Sequence, residues 1–136
     1  MEGQDMPGTF IITKTPKGFY RFSLNAANHQ TILTSQNYAT LQNCKDGIIS
    51  NQKNALVPIE DLTLRKVKEI TNPKFSIYLD KAGQYRYRLI ASNGQNIAAP
   101  ETGYSSKSGV LNGIRSIGRT APDAVINESA LAAELV

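Results

Sequence analysis

The sequence has little of the chemistry on which catalysis and metal binding usually depend, with one cysteine, one histidine and no tryptophan among 136 residues. Cys44 has no second cysteine with which to form an internal disulfide, which is typical of proteins from a reducing compartment. A structural zinc ion takes about four clustered ligands, and the carboxylates that could complete a set show no suitable spacing. We therefore expect no metal and no cofactor.

Long apolar segments are missing as well. No run approaches the roughly 18 apolar residues that a membrane span requires. The first residues contain neither the basic nor the apolar region of a secretory signal peptide. These absences predict a cytoplasmic protein with no membrane partner.

Residues capable of acid, base or nucleophilic chemistry are scattered along the chain. His29 lies in a predicted hairpin loop with no acid or nucleophile beside it, which favours a surface turn over catalysis. Cys44 falls on the apolar stripe of a predicted helix, as an ordinary buried thiol would. The sequence brings no two carboxylates into one evident pocket; the candidates are Asp46, Glu60, Glu69 and Asp123. We predict that the protein is not an enzyme.

The composition that is present is ordinary for a single globular domain, with 40% hydrophobic and 19% charged residues. The formal net charge is +4, which gives a mild preference for anionic partners. Charge of this size says nothing about the fold.

An internal repeat is the strongest signal in the chain. A shift of 65 residues aligns ten identities in order. They are Phe10/Phe75, Ile12/Ile77, Gly18/Gly83, Tyr20/Tyr85, Arg21/Arg86, Leu24/Leu89, Ala26/Ala91, Asn28/Asn93, Gln30/Gln95 and Ile32/Ile97. After one inserted residue near Gly103, a shift of 66 continues through Tyr38/Tyr104, Gly47/Gly113, Ile48/Ile114 and Ala55/Ala121. Two units are too few for a solenoid, so a closed pair is expected.

Each copy predicts strand, strand, strand, helix and strand. Loops ending in Gly18 and Gly83 close the first hairpins, with positive φ at the glycine. Asn93-Gly94 is the usual signal for a two-residue hairpin loop, and Asn28-His29 takes its place in the first copy. Apolar and polar residues alternate in the second strands, so one sheet face is apolar and the other polar.

The segments after Thr40 and Ser106, both plausible N-caps, change to helical periodicity. The predicted apolar stripes are Val110, Ile114 and Ile117 in the second copy and Cys44, Ile48 and Asn51 in the first. Glycine at positions 47 and 113 predicts close helix–strand packing. Short final strands are expected near residues 56–59 and 124–126.

The boundaries follow from these elements. One domain of residues 1–136 divides into a first repeat (9–61), a connector (62–73), a second repeat (74–128) and a tail (129–136). The predicted fold class is α+β, with two tandem β-β-β-α-β repeats in one mainly antiparallel sheet and both helices on one face.

The second copy resembles the YegP-like family of bacterial proteins of unknown function. The resemblance rests on Asp80-Lys81-Ala82-Gly83-Gln84-Tyr85-Arg86-Tyr87-Arg88-Leu89, Asn93-Gly94-Gln95, Gly103-Tyr104-Ser105-Ser106-Lys107 and Asn112-Gly113-Ile114-Arg115. The first copy departs from it at His29, Leu41 and Asn51. The resemblance implies that the repeats form a single sheet with exchanged last strands, and it supplies no activity. Because duplication can replace a dimer, we expect a monomer.

The sheet face opposite the helices is the main candidate for function. Regular alternation would place cations and rings on it: Phe19, Arg21, Tyr78, Arg86 and Arg88, with Ile11 nearby. Such a surface suits single-stranded nucleic acid, since arginine neutralises phosphate while rings stack bases. The alternative is a solvated face whose arginines pair with acids such as Asp80.

Two further hypotheses remain open. The helix start at residues 103–109 lacks the Walker spacing but could offer backbone amides and Lys107 to an anion, although plain capping explains it as well. Open sheet edges could instead recruit another protein.

Overall fold

The computed structural model describes residues 8–100 and 102–134 of the chain. Its first half contains β1 (Thr9–Lys14), β2 (Tyr20–Asn25), β3 (Thr31–Ser35), α1 (Leu41–Lys53) and β4 (Ile59–Asp61). Its second half contains β5 (Lys74–Leu79), β6 (Tyr85–Ile90), β7 (Asn96–Ala99), α2 (Lys107–Thr120) and β8 (Val125–Asn127). A 3₁₀ turn (Ala121–Asp123) precedes β8, and α3 (Ser129–Glu134) follows it. The predicted α+β class and the two tandem repeats are confirmed.

The eight strands form one sheet in the order β4-β5-β6-β7-β3-β2-β1-β8. At its centre β3 pairs antiparallel with β7, which joins the two repeats. At one edge β4 of the first repeat runs parallel to β5 of the second, and at the other β8 runs parallel to β1. Each repeat therefore gives its last strand to the other, as the family resemblance implied.

Among the described residues, two ion pairs also link a helix to a strand across the repeats. Lys107 Nζ of α2 lies 2.9 Å from Asp61 Oδ2 at the end of β4. Lys45 Nζ of α1 lies 3.0 Å from Glu128 Oε2, just after β8. Each pair links a helix of one repeat to the exchanged strand of the other.

The core lies between the sheet and the two helices. Thr40 and Ser106 cap the helices by accepting hydrogen bonds from the backbone N–H groups of Asn43 and Gly109. Buried aromatic pairs occupy matching places, with Phe10 edge-on to Phe22 and Phe75 edge-on to Tyr87. The predicted apolar stripes are buried, including Cys44 and, against its polarity, Asn51.

All four hairpin loops share one hydrogen-bond pattern, which corrects the two-residue loop predicted at Asn93-Gly94. The N–H of Ala91 donates to the carbonyl of Gln95, and the N–H of Gly94 to that of Ala91, at 2.9 Å each. Three residues therefore form the loop, and only the last has positive φ, at Gly94 (84°) and at His29 (69°). The reason is that the Asn93 side chain accepts from the Gln95 N–H, a turn that needs no second positive φ.

The last strand of the first repeat begins at Ile59, three residues later than the prediction at 56. Pro58 has no N–H to donate, and the ladder to β5 starts at its carbonyl, which accepts from the Phe75 N–H. The predicted tail forms α3 through Glu134, while residues 135 and 136 lie outside the described range. No helix in that range is both long and apolar enough to cross a membrane.

Candidate functional site

Three of the predicted site residues lie together on the open face of the second repeat. Tyr78 of β5 is directly opposite Arg86 of β6, and Arg88 follows two residues along the same strand. The Arg88 guanidinium carbon lies 4.0 Å from the centre of the Tyr78 ring. This is a close cation–π contact, and Arg88 remains exposed to solvent.

Arg86 is tied to the preceding loop. Its Nε donates to Asp80 Oδ2 at 2.7 Å, and the other Asp80 oxygen accepts from the backbone N–H groups of Ala82 and Gln84. The hydrogen bond from Arg86, followed by that from Gln84, lowers the pKa of Asp80. The pairing expected for a solvated face is therefore present at Arg86. Within the described residues, Arg88 has no carboxylate partner.

Phe19 and Arg21 lie on the same sheet face but in the other half of the molecule. Phe19, which is 40% exposed, comes directly before β2, and Arg21 pairs with Thr13 of β1. Arg21 and Arg86 are three strands apart and displaced in opposite directions along them, which separates their Cα atoms by about 20 Å. The structure therefore forms two basic and aromatic clusters instead of one.

Small side chains separate the two clusters. Ser23 is paired with Thr34, and Thr34 with Ala99, across the middle of the sheet. Together with the clusters at either end, they form what we call the open sheet face. The arginines and aromatic rings of this face suit a ligand that is bound through ring stacking and charge. Within the described residues, no group of three or more His, Cys, Asp or Glu side chains could hold a metal ion.

Lys107 is separated from these residues. It is the first residue of α2, on the helix side of the sheet, and its charge is paired with Asp61. Burial of Asp61 works to raise its pKa, but hydrogen bonds from Thr63 and Lys107 outweigh it and lower the pKa. Ser106 Oγ serves as the helix cap. The contacts at this helix start are thus those of capping and ion pairing.

Near β4 the connector is hydrogen-bonded to a partly buried ion pair between β4 and β5. Lys74 Nζ lies 2.8 Å from Glu60 Oε2, which also accepts from the Ile70 N–H at 3.0 Å. Lys74 Nζ additionally donates to the Ile70 carbonyl. The pair fixes the connector to the sheet and leaves the Arg88 cluster uncovered.

Sequence reasoning missed two clefts on the helix side of the sheet. The first cleft, about 420 Å³, lies between α1 and the β6–β7 loop, and the second, about 430 Å³, between α2 and the β2–β3 loop. Each is therefore built from both repeats. Seven lining positions carry the same residue type in both: Ala26/Ala91, Asn28/Asn93, Gln30/Gln95, Ile32/Ile97, Tyr38/Tyr104, Gly47/Gly113 and Ser50/Ser116.

One signal could have revealed the clefts. Most of these identities were already visible in the repeat, where turns, packing and the core account for them. Gln30 and Gln95 are different, since both side chains are exposed and a hairpin loop needs no glutamine at that position. Sequence alone could not show that the two glutamines face the helices of opposite repeats.

Comparison with protein families identifies the repeated unit. A family model described as "Domain of unknown function (DUF1508)" matches residues 17–61 and 80–128. A UPF0339 protein of Bordetella pertussis is 36% identical over 119 residues, which covers 88% of this chain and 93% of that protein. Both matches span the two repeats.

Other relatives match over a single repeat. A UPF0339 protein of Methanosarcina acetivorans is 51% identical over 53 residues, 39% of this chain and 90% of the relative. That organism is an archaeon, so the family is not confined to bacteria. The "UPF0339 protein in ptx operon 5'region" of Stutzerimonas stutzeri is 59% identical over 49 residues, 36% of this chain and 43% of that relative.

Two solved structures share the fold. The solution NMR structure of the E. coli protein of unknown function yegP has a TM-score of 0.74 at 24% identity, covering 93% of this chain and 96% of that one. The UPF0339 protein SO3888 of Shewanella oneidensis has a TM-score of 0.72 at 26% identity, covering 90% and 92%. The YegP-like resemblance is thereby confirmed, and the chain belongs to the DUF1508 family, with two copies of the domain in one polypeptide.

Proposed function

We propose that this chain is a non-enzymatic binding module whose open sheet face takes single-stranded nucleic acid. The observation that carries the proposal is the guanidinium of Arg88 stacked 4.0 Å above the Tyr78 ring on an uncovered part of the sheet. A guanidinium plane held in this way can stack an unpaired base while its charge attracts phosphate. The net charge of +4 favours the same class of partner.

The second cluster, at Phe19 and Arg21, gives the nucleic-acid strand a direction across the sheet. A single strand lying on Arg88 would cross the small side chains of Ala99, Thr34 and Ser23 before reaching Arg21. The span of about 20 Å between Arg21 and Arg86 fits several nucleotides, within the range of other sheet-based single-strand binders. Phe19 would then supply a ring at the far end.

The solvated-face alternative explains part of the same surface. Arg86 is already paired with Asp80, and an exposed pair of this kind is common on solvated sheets. Arg88 distinguishes the two hypotheses, because it is arranged against a ring in the described structure and not against a carboxylate.

Fluorescence anisotropy with mixed-sequence single strands at low salt tests the proposal. We expect binding in the micromolar range that weakens steeply with added salt, since phosphate contacts release counterions. Arg88→Ala should raise the dissociation constant about tenfold, which corresponds to one stacked base.

Arg115→Ala is the matched control, because it removes the same charge from the exposed surface of α2 on the other side of the sheet. It should change the dissociation constant less than about twofold. Absence of association at tens of micromolar protein, or an equal loss in both variants, would overturn the proposal.

A second candidate function is protein interaction at the β4 edge. Leu56 and Ile59 are 81% and 36% exposed beside an apolar groove of about 360 Å³, which Arg115 and Arg119 also line. These features fit an extended peptide that carries apolar and acidic side chains. A peptide alternating leucine and glutamate should bind, and Leu56→Lys should abolish binding without affecting nucleic acid. Binding unchanged by Leu56→Lys would exclude this site.

A further inference from the structure

The two clefts are more alike than the fold requires. One wall of the first cleft is formed by Gly47 and Ser50 of α1 with Tyr38, which precedes the helix, and the second cleft has their counterparts. The loops that form the other wall carry Asn93 and Gln95 in the first cleft, again with counterparts in the second. Volumes of about 420 and 430 Å³ lie within the range of small-molecule sites.

Some of the polar groups in the clefts are not used by the fold. Asn28 and Asn93 accept hydrogen bonds within their own loops, and Ser116 accepts from Arg119. Among the described residues, the side-chain amides of Gln30 and Gln95 and the hydroxyl of Tyr104 make no hydrogen bond. Gln30 and Tyr104 lie on opposite walls of the second cleft, and burial raises the pKa of Tyr104, so its phenol keeps the proton that it could donate.

The clefts differ in charge, and in the first cleft the Tyr38 hydroxyl is hydrogen-bonded to the Gln36 side chain. The first cleft has Asp46 where the second has Asn112, and the second adds Arg119 at its rim. A charged ligand would therefore favour one cleft and be disfavoured by the other. The groups common to both are neutral amides and hydroxyls, with Ile97 and Ala91, or Ile32 and Ala26, as apolar lining.

From this arrangement we propose that the two clefts are equivalent binding sites for a neutral polyhydroxyl ring, one molecule in each. Amide groups offer a donor and an acceptor side by side, and phenols offer both, which matches hydroxyl groups that also donate and accept. The apolar lining suits the C–H face of such a ring. Saccharides and the ribose of nucleosides share this chemistry. The sites are separate from the open sheet face, and each requires residues from both repeats.

Two-dimensional ¹H–¹⁵N NMR of the full chain tests this inference, with neutral mono- and disaccharides in one arm and nucleosides in the other. We expect resonances of both clefts to shift together, with millimolar dissociation constants that agree within about threefold. Response to one arm only would identify the source of the ring.

Single substitutions assign each site. Gln95→Ala should weaken binding about tenfold at the first cleft only, and Gln30→Ala at the second only. Ser92→Ala, in the same loop as Gln95 but outside the cleft lining, should leave both unchanged. No shift with any probe at tens of millimolar, shifts confined to one cleft, or equal loss with Ser92→Ala would overturn the proposal. None of these results depends on nucleic-acid binding, which Arg88→Ala tests separately.

Discussion

Tyr38 lies directly over Gly47 of α1, where a Cβ atom would come within 2.7 Å of the tyrosine Cζ and would also meet its hydroxyl. Tyr104 stands in the same relation to Gly113, at 2.9 Å. Glycine inside a helix costs about 1 kcal/mol relative to alanine. The close approach of the tyrosine explains why both helices have glycine at this position.

Gly47→Ala is therefore expected to lower the free energy of unfolding by about 1–3 kcal/mol, because overpacking outweighs the gain in helix propensity. Adding Tyr38→Phe should recover part of the loss, since the two positions are in contact. Urea denaturation followed by circular dichroism measures both. Gly109→Ala is the control: its Cβ would meet nothing closer than 3.3 Å, and stability should change by less than about 1 kcal/mol.

Asn51→Ile should stabilise the protein by about 1–3 kcal/mol. Asn51 is fully buried, and neither polar atom of its side chain has a hydrogen-bond partner. Ile117, its counterpart in α2, fills the equivalent place with an apolar side chain. Thermal and urea unfolding check the prediction, and a loss of stability would mean that Asn51 has a partner such as a buried water.

His29→Gly should stabilise by about 0.5–1 kcal/mol, because His29 has φ of 69° in a loop position that glycine occupies in the second repeat. Gly94→Ala should destabilise the protein by about 1 kcal/mol, because alanine disfavours the positive φ at this position. No neighbour is closer than 3.9 Å to a Cβ at Gly94, so backbone conformation alone is tested there. Changes of the same sign in both variants would contradict this explanation.

Glu60 should make stability depend on pH. The hydrogen bond from Lys74, followed by that from the Ile70 N–H, lowers the pKa of Glu60 below its ordinary value. This carboxylate therefore stabilises the fold above the unfolded pKa of about 4.3, and the contribution is lost as pH falls through the folded pKa.

Urea unfolding of wild type and Glu60→Gln from neutral pH to pH 3 measures this contribution. The difference between them should be largest at neutral pH and shrink in acid. Glu69→Gln, which removes an exposed carboxylate from the neighbouring connector, controls for the lost charge. A difference that stays constant with pH would show that Glu60 is not responsible.

The full chain should be a monomer, whereas the second repeat alone should form a dimer. Isolated, it has lost β4, and a second copy of β8 can pair with β5 as β4 does in the full chain. The Methanosarcina acetivorans relative, matched over 90% of its length by 53 residues, is about the size of one repeat. Light scattering after size exclusion checks both states, and a folded monomer of the isolated repeat would contradict the dependence on exchange.

The fold was largely predictable, and the candidate site only in part. Alternation in β6 identified the face of Arg86 and Arg88, and the capping residues Thr40 and Ser106 were found from local pattern. Local pattern could not show that Arg21 lies about 20 Å from Arg86, since that distance depends on strand order. The contact between Arg88 and Tyr78 likewise depends on the register of β5 against β6.

The sequence by itself determined the duplication, through ordered identities at one spacing. It also determined the order of strands and helices in each repeat and which residues face the core, because these depend on periods of two and 3.6 residues along the chain. Tertiary structure alone decided the separation of the basic clusters, the unpartnered amide of Asn51 and the two clefts. The physical reason is strand exchange: each helix lies against a hairpin of the other repeat, far away in sequence, where no local period can indicate the contact.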